Sequence, residues 1–113
     1  EVTLIPAIAG KIPVPILGSV IYRGLAGDDW TGDIDIGGLH SSTFYYLLRI
    51  AAADIASDGI CHFASAGTPQ LDSTLFGLLP AGASIIARTS TAGVAADEST
   101  GTGCAIHITA FYQ

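Results

Sequence analysis

The chain has 113 residues, of which half are hydrophobic and 12% are charged, whereas about a quarter are charged in an average soluble protein. Ten acidic and four scattered basic residues give a net charge of -6, so nucleic acid is not expected as a partner. No run of about 20 apolar residues predicts a membrane helix. We expect one domain, 1–113. The apolar surplus indicates either a monomer with a core rich in small residues or, as we favour, an assembly subunit whose apolar faces other protein surfaces cover.

The first part of the chain predicts two strands. Residues 2–5 form a short apolar run, and 11–23 a longer one. Pro13 and Pro15 lie two apart, so both lack an N–H on the same side of the strand, and we expect this half at a sheet edge. Gly18 predicts a bend or bulge before the pairing resumes.

The middle of the chain predicts two further strands. Residues 33–36 alternate between polar and apolar as a half-exposed strand, which Gly37 and Gly38 are expected to end. Residues 43–50 are rich in aromatic and branched side chains and predict a strand, although 47–56 also has strong helix propensity.

The last part predicts strands at 60–64 and 83–89, followed by a polar loop at 90–103 and a final alternating run. In that run, one face is expected to carry Cys104, Ile106, Ile108, Ala110 and Tyr112, and the other face Ala105, His107, Thr109 and Phe111.

About eight short strands separated by turn signals predict an all-β fold, a single antiparallel β-sandwich of jelly-roll type. Alternation then selects the residues in or near its core. They are Ile5, Ile16, Val20, Tyr22, Ile34, Ile36, Phe63, Ile85, Ile106 and Ile108.

A cluster of carboxylates makes calcium one candidate ligand, because hard cations bind such oxygens. The four side chains are those of Asp28, Asp29, Asp33 and Asp35. The segment lacks the glycine placement and the final glutamate of a helix-loop-helix calcium loop. Asp33 and Asp35 share one strand face, where they either converge on a metal or keep that face hydrated.

Zinc ligand types occur at Cys61-His62 and again at Cys104 and His107. Within each pair the spacing places cysteine and histidine on opposite strand faces, so we expect buried apolar cysteines and no metal site.

His40 stands beside Ser41 and Ser42, the one cluster that suggests nucleophilic catalysis. Adjacent residues rarely reach triad geometry and no nucleophile-elbow motif is present, so we expect a hydrogen-bonding turn and no enzyme.

Aromatic side chains suggest either a glycan platform or an interface with another protein. The candidates for such contacts are Trp30, Tyr45 and Tyr46, with Tyr22 and Phe44 nearby. Tyr45 and Tyr46 are expected on opposite faces of their strand.

The order of these features resembles that of small virion proteins of tailed bacteriophages, of the capsid decoration or cement type. The matching pieces are Val2–Ala7, Gly10–Ile12, Val20–Tyr22, Trp30–Gly32, Ile50–Ile55, Leu71-Asp72 and a Gly/Thr-rich loop before a terminal strand that ends in Tyr112. Two features depart from the pattern: Pro13 and Pro15 interrupt a usually continuous strand, and 104–107 carries less charge than the common terminal strand.

This resemblance implies a non-enzymatic structural protein without a cofactor, located in the virion after assembly in the bacterial cytoplasm. It also implies a homotrimer that binds the major capsid protein or other virion proteins. Both cysteines are then expected to be reduced. A carbohydrate-binding head-fibre or tail adhesion module remains the alternative.

Overall fold

A computed structural model of the chain describes residues 1–23, 32–55, 60–64, 79–89 and 103–113. These residues form seven strands and one short 3₁₀ helix. They are β1 (Val2–Ile5), β2 (Pro13–Arg23), β3 (Ile34–His40), β4 (Thr43–Ile50), the helix Ala52–Asp54, β5 (Ile60–Ala64), β6 (Ser84–Thr89) and β7 (Gly103–Tyr112). The predicted all-β class is confirmed, with seven described strands where about eight were expected.

The strands form two antiparallel sheets, a four-stranded sheet in the order β1-β6-β3-β4 and a three-stranded sheet in the order β5-β2-β7. Among the described strands, β3 and β4 are the only consecutive pair that lies side by side. Every other step along the chain passes from one sheet to the other, so apolar residues from both sheets meet in one core.

Alternation correctly predicts much of this core. Val20, Ile34, Ile36 and Ile85 are buried, and Ile5, Ile106 and Ile108 pack against them as partly buried side chains. The predicted core residues Tyr22 and Phe63 have side chains outside the described part of the structure. The buried residues that the alternation did not identify include Leu47, Leu48, Ile50, Ile55, Leu79 and Ala87.

The prediction that Ile16 lies in the core is wrong. The register between β2 and β7 shifts between Pro15 and Leu17, so Ile16 forms a bulge and is exposed. Pro13 and Pro15 are buried, yet Leu17 lies outside, because the extra residue reverses the alternation. The irregularity predicted at Gly18 therefore occurs two residues earlier.

The two prolines lie at a local sheet edge, as predicted. Among the described strands, only β7 pairs with this half of β2, since β5 pairs from Leu17 onward. Ile12 and Gln113 exchange two backbone hydrogen bonds of 2.9 and 2.8 Å. Hydrogen-bonded and non-hydrogen-bonded residue pairs alternate along two antiparallel strands. The nitrogens of Pro13 and Pro15 therefore face away from β7, and no hydrogen bond between the two strands is lost.

The prediction that Gly37 and Gly38 end β3 is also wrong, because the strand continues to His40. A Cβ atom at Gly37 would collide with the carbonyl oxygen of Tyr45 and with the ring of Phe44. A Cβ atom at Gly38 would collide with the side chain of Leu79. These glycines therefore allow close approach within the sheet and against the core.

The ambiguous stretch 47–56 divides into two structures. It remains β-strand to Ile50 and forms only one 3₁₀ turn at Ala52–Asp54. A bulge in β4, where the register shifts opposite Ile36 and Gly37, allows both Leu47 and Leu48 to be buried.

The hairpin between β3 and β4 turns through Ser41 and Ser42, which have φ angles of 47° and 67°. Positive φ at both central residues is the geometry of a type I′ turn, in which a Cβ atom is unfavourable.

We expect Ser42→Gly to raise the free energy of unfolding by about 0.5–1 kcal/mol, measured by urea denaturation. Ser42→Ala, which keeps the Cβ atom, serves as the control and should bring no gain. Equal effects of the two substitutions would contradict this explanation.

Candidate interaction faces of the two sheets

Asp35 and Arg49 form a charged pair on the outer face of the four-stranded sheet. They are cross-strand neighbours on β3 and β4. Nε of Arg49 donates to Oδ1 of Asp35 at 2.7 Å, and Nη2 donates to Oδ2 at 3.1 Å. Asp35 is only 4% exposed, whereas the side chain of Arg49 is about half exposed. The hydrogen bond and charge of Asp35 raise the pKa of Arg49 above its usual range.

Asp33 extends the same cluster. Its Oδ2 lies 3.7 Å from Nη1 of Arg49, and its Oδ1 accepts a hydrogen bond of 3.1 Å from the backbone N–H of Ala52. Asp33, the residue before β3, therefore joins the start of that strand to the start of the 3₁₀ helix. Of the two alternatives left open for these carboxylates, convergence is observed, but the group on which they converge is a guanidinium.

The other calcium candidates, Asp28 and Asp29, lie outside the described residues, as does Trp30. In the described ranges, no three His, Cys, Asp or Glu side chains gather as a metal site requires. Calcium stays a candidate ligand of this segment, and the expectation of no metal site stays a prediction.

Aromatic side chains flank this charged pair. The guanidinium carbon of Arg88 on β6 lies 3.6 Å from the centroid of the Phe44 ring. Tyr46 is 49% exposed, while Tyr45 is half-buried and packs against the core. The prediction that the two tyrosines lie on opposite faces is confirmed. Of the two tyrosines, only Tyr46 is therefore available as a contact residue on the outer surface.

The outer face of the three-stranded sheet has a different character. Its exposed members include Leu17 (49%) and Phe111 (51%), with the bulged Ile16 beside them. The register and the alternation place on this face Val14, Leu17, Ser19, Ile21, Ala105, His107, Thr109 and Phe111. None of these eight residues is Asp, Glu, Lys or Arg; Arg23, the next β2 residue in the same alternation, has its side chain outside the described part of the structure. We call these eight residues the uncharged face.

The faces predicted for the last strand are confirmed. Cys104, Ile106, Ile108, Ala110 and Tyr112 are partly buried, and the residues between them are exposed. His107 points outward and Cys104 inward, so the opposite-face argument against zinc holds for this pair. The register places both His107 and His62 opposite Ser19, one on each side of β2.

The two cysteines lie on strands separated by β2. Cys61 is registered with Val20, and Cys104 with Tyr22. Two strand spacings put their Cα atoms roughly 10 Å apart, beyond the roughly 7 Å that a disulfide spans. Cys104 is a free thiol, and burial raises its pKa.

His40, the remaining candidate, is paired with Thr43 at the end of the hairpin, and Ser41 and Ser42 form the turn itself. The turn prediction is confirmed, and the absence of enzymatic activity stays a prediction.

None of the helical residues that the structure describes forms a segment long and apolar enough to cross a bilayer. Comparison of the chain with protein-family models, with curated proteins and with solved structures returned no match.

The burial difference between Asp35 and Arg49 predicts an asymmetric response to substitution. Arg49→Ala leaves a buried carboxylate unpaired, which costs roughly 3 kcal/mol, whereas Asp35→Ala leaves a guanidinium that water can reach. We expect Arg49→Ala to lower the free energy of unfolding more than Asp35→Ala, measured by urea denaturation. Arg88→Ala is the matched control, since no buried carboxylate depends on that arginine. Equal losses for Arg49→Ala and Arg88→Ala would show that the ion pair is unimportant.

The cysteine geometry predicts two free thiols and slow reaction of Cys104. Because the thiolate is the reactive form and the pKa of Cys104 is raised, alkylation of the folded protein at neutral pH should be slower than that of an exposed thiol, and should accelerate at higher pH. Intact mass after denaturing alkylation without reductant should show both thiols modified. A mass that corresponds to one intramolecular disulfide would contradict the register between β5, β2 and β7.

Proposed function

We propose that this protein is a non-enzymatic structural component of a tailed-phage particle, preferably a decoration protein that strengthens the head. The observation that carries its assembly role is the uncharged face of the three-stranded sheet. The order of the sequence features along the chain, which resembles that of small virion proteins of tailed bacteriophages, supports the phage setting. The proposal includes a homotrimer, contact with the major capsid protein, and a sandwich connected as a jelly roll.

The uncharged face suits contact between identical copies. The chain has a net charge of -6, so charged surfaces of two copies repel each other. The eight residues of this face include no Asp, Glu, Lys or Arg, and they expose large apolar side chains at Leu17 and Phe111. Three copies can bury such faces around a three-fold axis, each touching two neighbours.

The size of the face limits the strength of that contact. β2 and β7 pair over ten positions. At about 3.3 Å per residue and two strands about 4.8 Å apart, the face covers at most roughly 320 Å². Two copies would bury about 640 Å², below the roughly 1,200 Å² of a standard stable interface. The proposal therefore includes weak association in solution and stronger association where a particle surface holds many copies together.

A carbohydrate-binding adhesion module is the second candidate function. The exposed ring of Tyr46, next to Phe44 and its stacked Arg88, favours it.

Electron cryo-microscopy of the particle separates the two functions. A decoration protein should approach the abundance of the major capsid protein at symmetry positions, and an adhesion module should occur in a few copies at a vertex or tail tip.

The contact between identical copies can be tested by introducing one negative charge on the outer face of either sheet. We expect the wild-type chain to self-associate at high concentration in analytical ultracentrifugation, and Leu17→Asp or Phe111→Asp to remain monomeric, because an unpaired carboxylate is costly in an apolar contact. Both side chains are about half exposed, so stability should change little. Tyr46→Asp, the control on the other sheet, should associate like the wild type. A wild-type chain that stays monomeric in solution and on particles would refute the assembly role.

A further inference from the structure

Arg88 is held in position on the outer face of the four-stranded sheet without a carboxylate partner among the described residues. Its cross-strand neighbour Asp35 has both oxygens bound by Arg49. A guanidinium that stacks on a ring keeps its N–H edges available and loses little freedom when it binds. Arg88 is therefore prepared to donate two parallel hydrogen bonds to an oxyanion.

The surface beside Arg88 carries the aromatic rings of Phe44 and Tyr46. Gly37 lies at its centre, and a Cβ atom there would stand 2.6 Å from Cζ of Phe44, so the ring occupies the space that a side chain would take. Tyr46 is registered directly opposite Gly37 and is half exposed. Two rings with a guanidinium at one side offer an apolar surface for a pyranose ring and a donor pair for a charged substituent.

We propose that Arg88, Phe44 and Tyr46 form a binding site for an acidic saccharide, whose sugar carboxylate accepts the two hydrogen bonds of Arg88. This inference rests on the second candidate function, carbohydrate binding. A sugar covers these three side chains alone, whereas a protein partner would also have to desolvate the neighbouring Asp35–Arg49 pair. The chain charge of -6 opposes long polyanions, so a short oligosaccharide fits best.

The experiment compares two trisaccharides that differ only at C6 of each ring. Trigalacturonate carries a carboxylate where galactotriose carries a hydroxymethyl group. We expect titration calorimetry and amide chemical shifts to show binding of trigalacturonate at millimolar or lower concentration, with the shifts centred on β3, β4 and β6. Galactotriose should bind about tenfold more weakly or less, since it offers no oxyanion to Arg88.

Variants separate the charge from the aromatic surface. Arg88→Gln should weaken trigalacturonate binding about tenfold, and Arg88→Lys should recover only part of the loss because it cannot form the paired hydrogen bonds. Tyr46→Ala should weaken both sugars. Lys11→Gln is the matched control, because it removes one exposed positive charge from the β1–β2 connection and should leave binding unchanged.

Each other outcome overturns the inference. Equal binding of the two sugars, dependent on Tyr46 and indifferent to Arg88→Gln, would preserve carbohydrate binding and refute the acidic saccharide. A loss with Lys11→Gln equal to that with Arg88→Gln would reduce the effect to net charge. Tighter, Arg88-dependent binding of polyaspartate would assign the site to an acidic polypeptide. No binding of either sugar at millimolar concentration would refute both the site and the adhesion function.

Discussion

The alternation of β3 is the constraint on which the arrangement of charge depends. Ile34 and Ile36 must enter the core that the two sheets share, and a strand with period two then places Asp35 on the outer face. At the centre of a sheet this carboxylate is nearly inaccessible to water, so it requires a partner. Arg49 supplies that partner from β4, and Arg88, the neighbour on β6, is left to stack on Phe44.

The positions of the few charged residues distinguish the outer face of the four-stranded sheet from that of the three-stranded sheet. With only four basic residues in the chain, two of them lie in the row that crosses the four-stranded sheet at Asp35. The eight residues of the uncharged face include none. The self-contact that we propose therefore uses one sheet, and the acidic ligand that we propose uses the other. Because the two contacts use different sheets, both could form at once.

Local deviations from regular pairing determine which side chains reach each surface. The bulge at Ile16 turns Leu17 outward while Pro13 and Pro15 remain buried. The bulge at Leu47 buries two consecutive leucines and leaves Tyr46 outside. Gly37 permits the ring of Phe44 to lie against β3. Each deviation changes one residue in the pattern and thereby places an apolar or aromatic side chain on an outer face of a sheet.

The sequence by itself determined the β class, the bounds of β1, β4 and β5 and the alternating faces of the last strand, because these follow from short-range periodicity. It also determined the local sheet edge at Pro13 and Pro15, because proline lacks an N–H. Tertiary structure alone decided that Gly37 and Gly38 continue a strand, that Ile16 is exposed, and that Asp33 and Asp35 meet Arg49. Those outcomes depend on which strands lie side by side and in which register, and residues as far apart in the chain as 35 and 88 become neighbours only when the sheet forms.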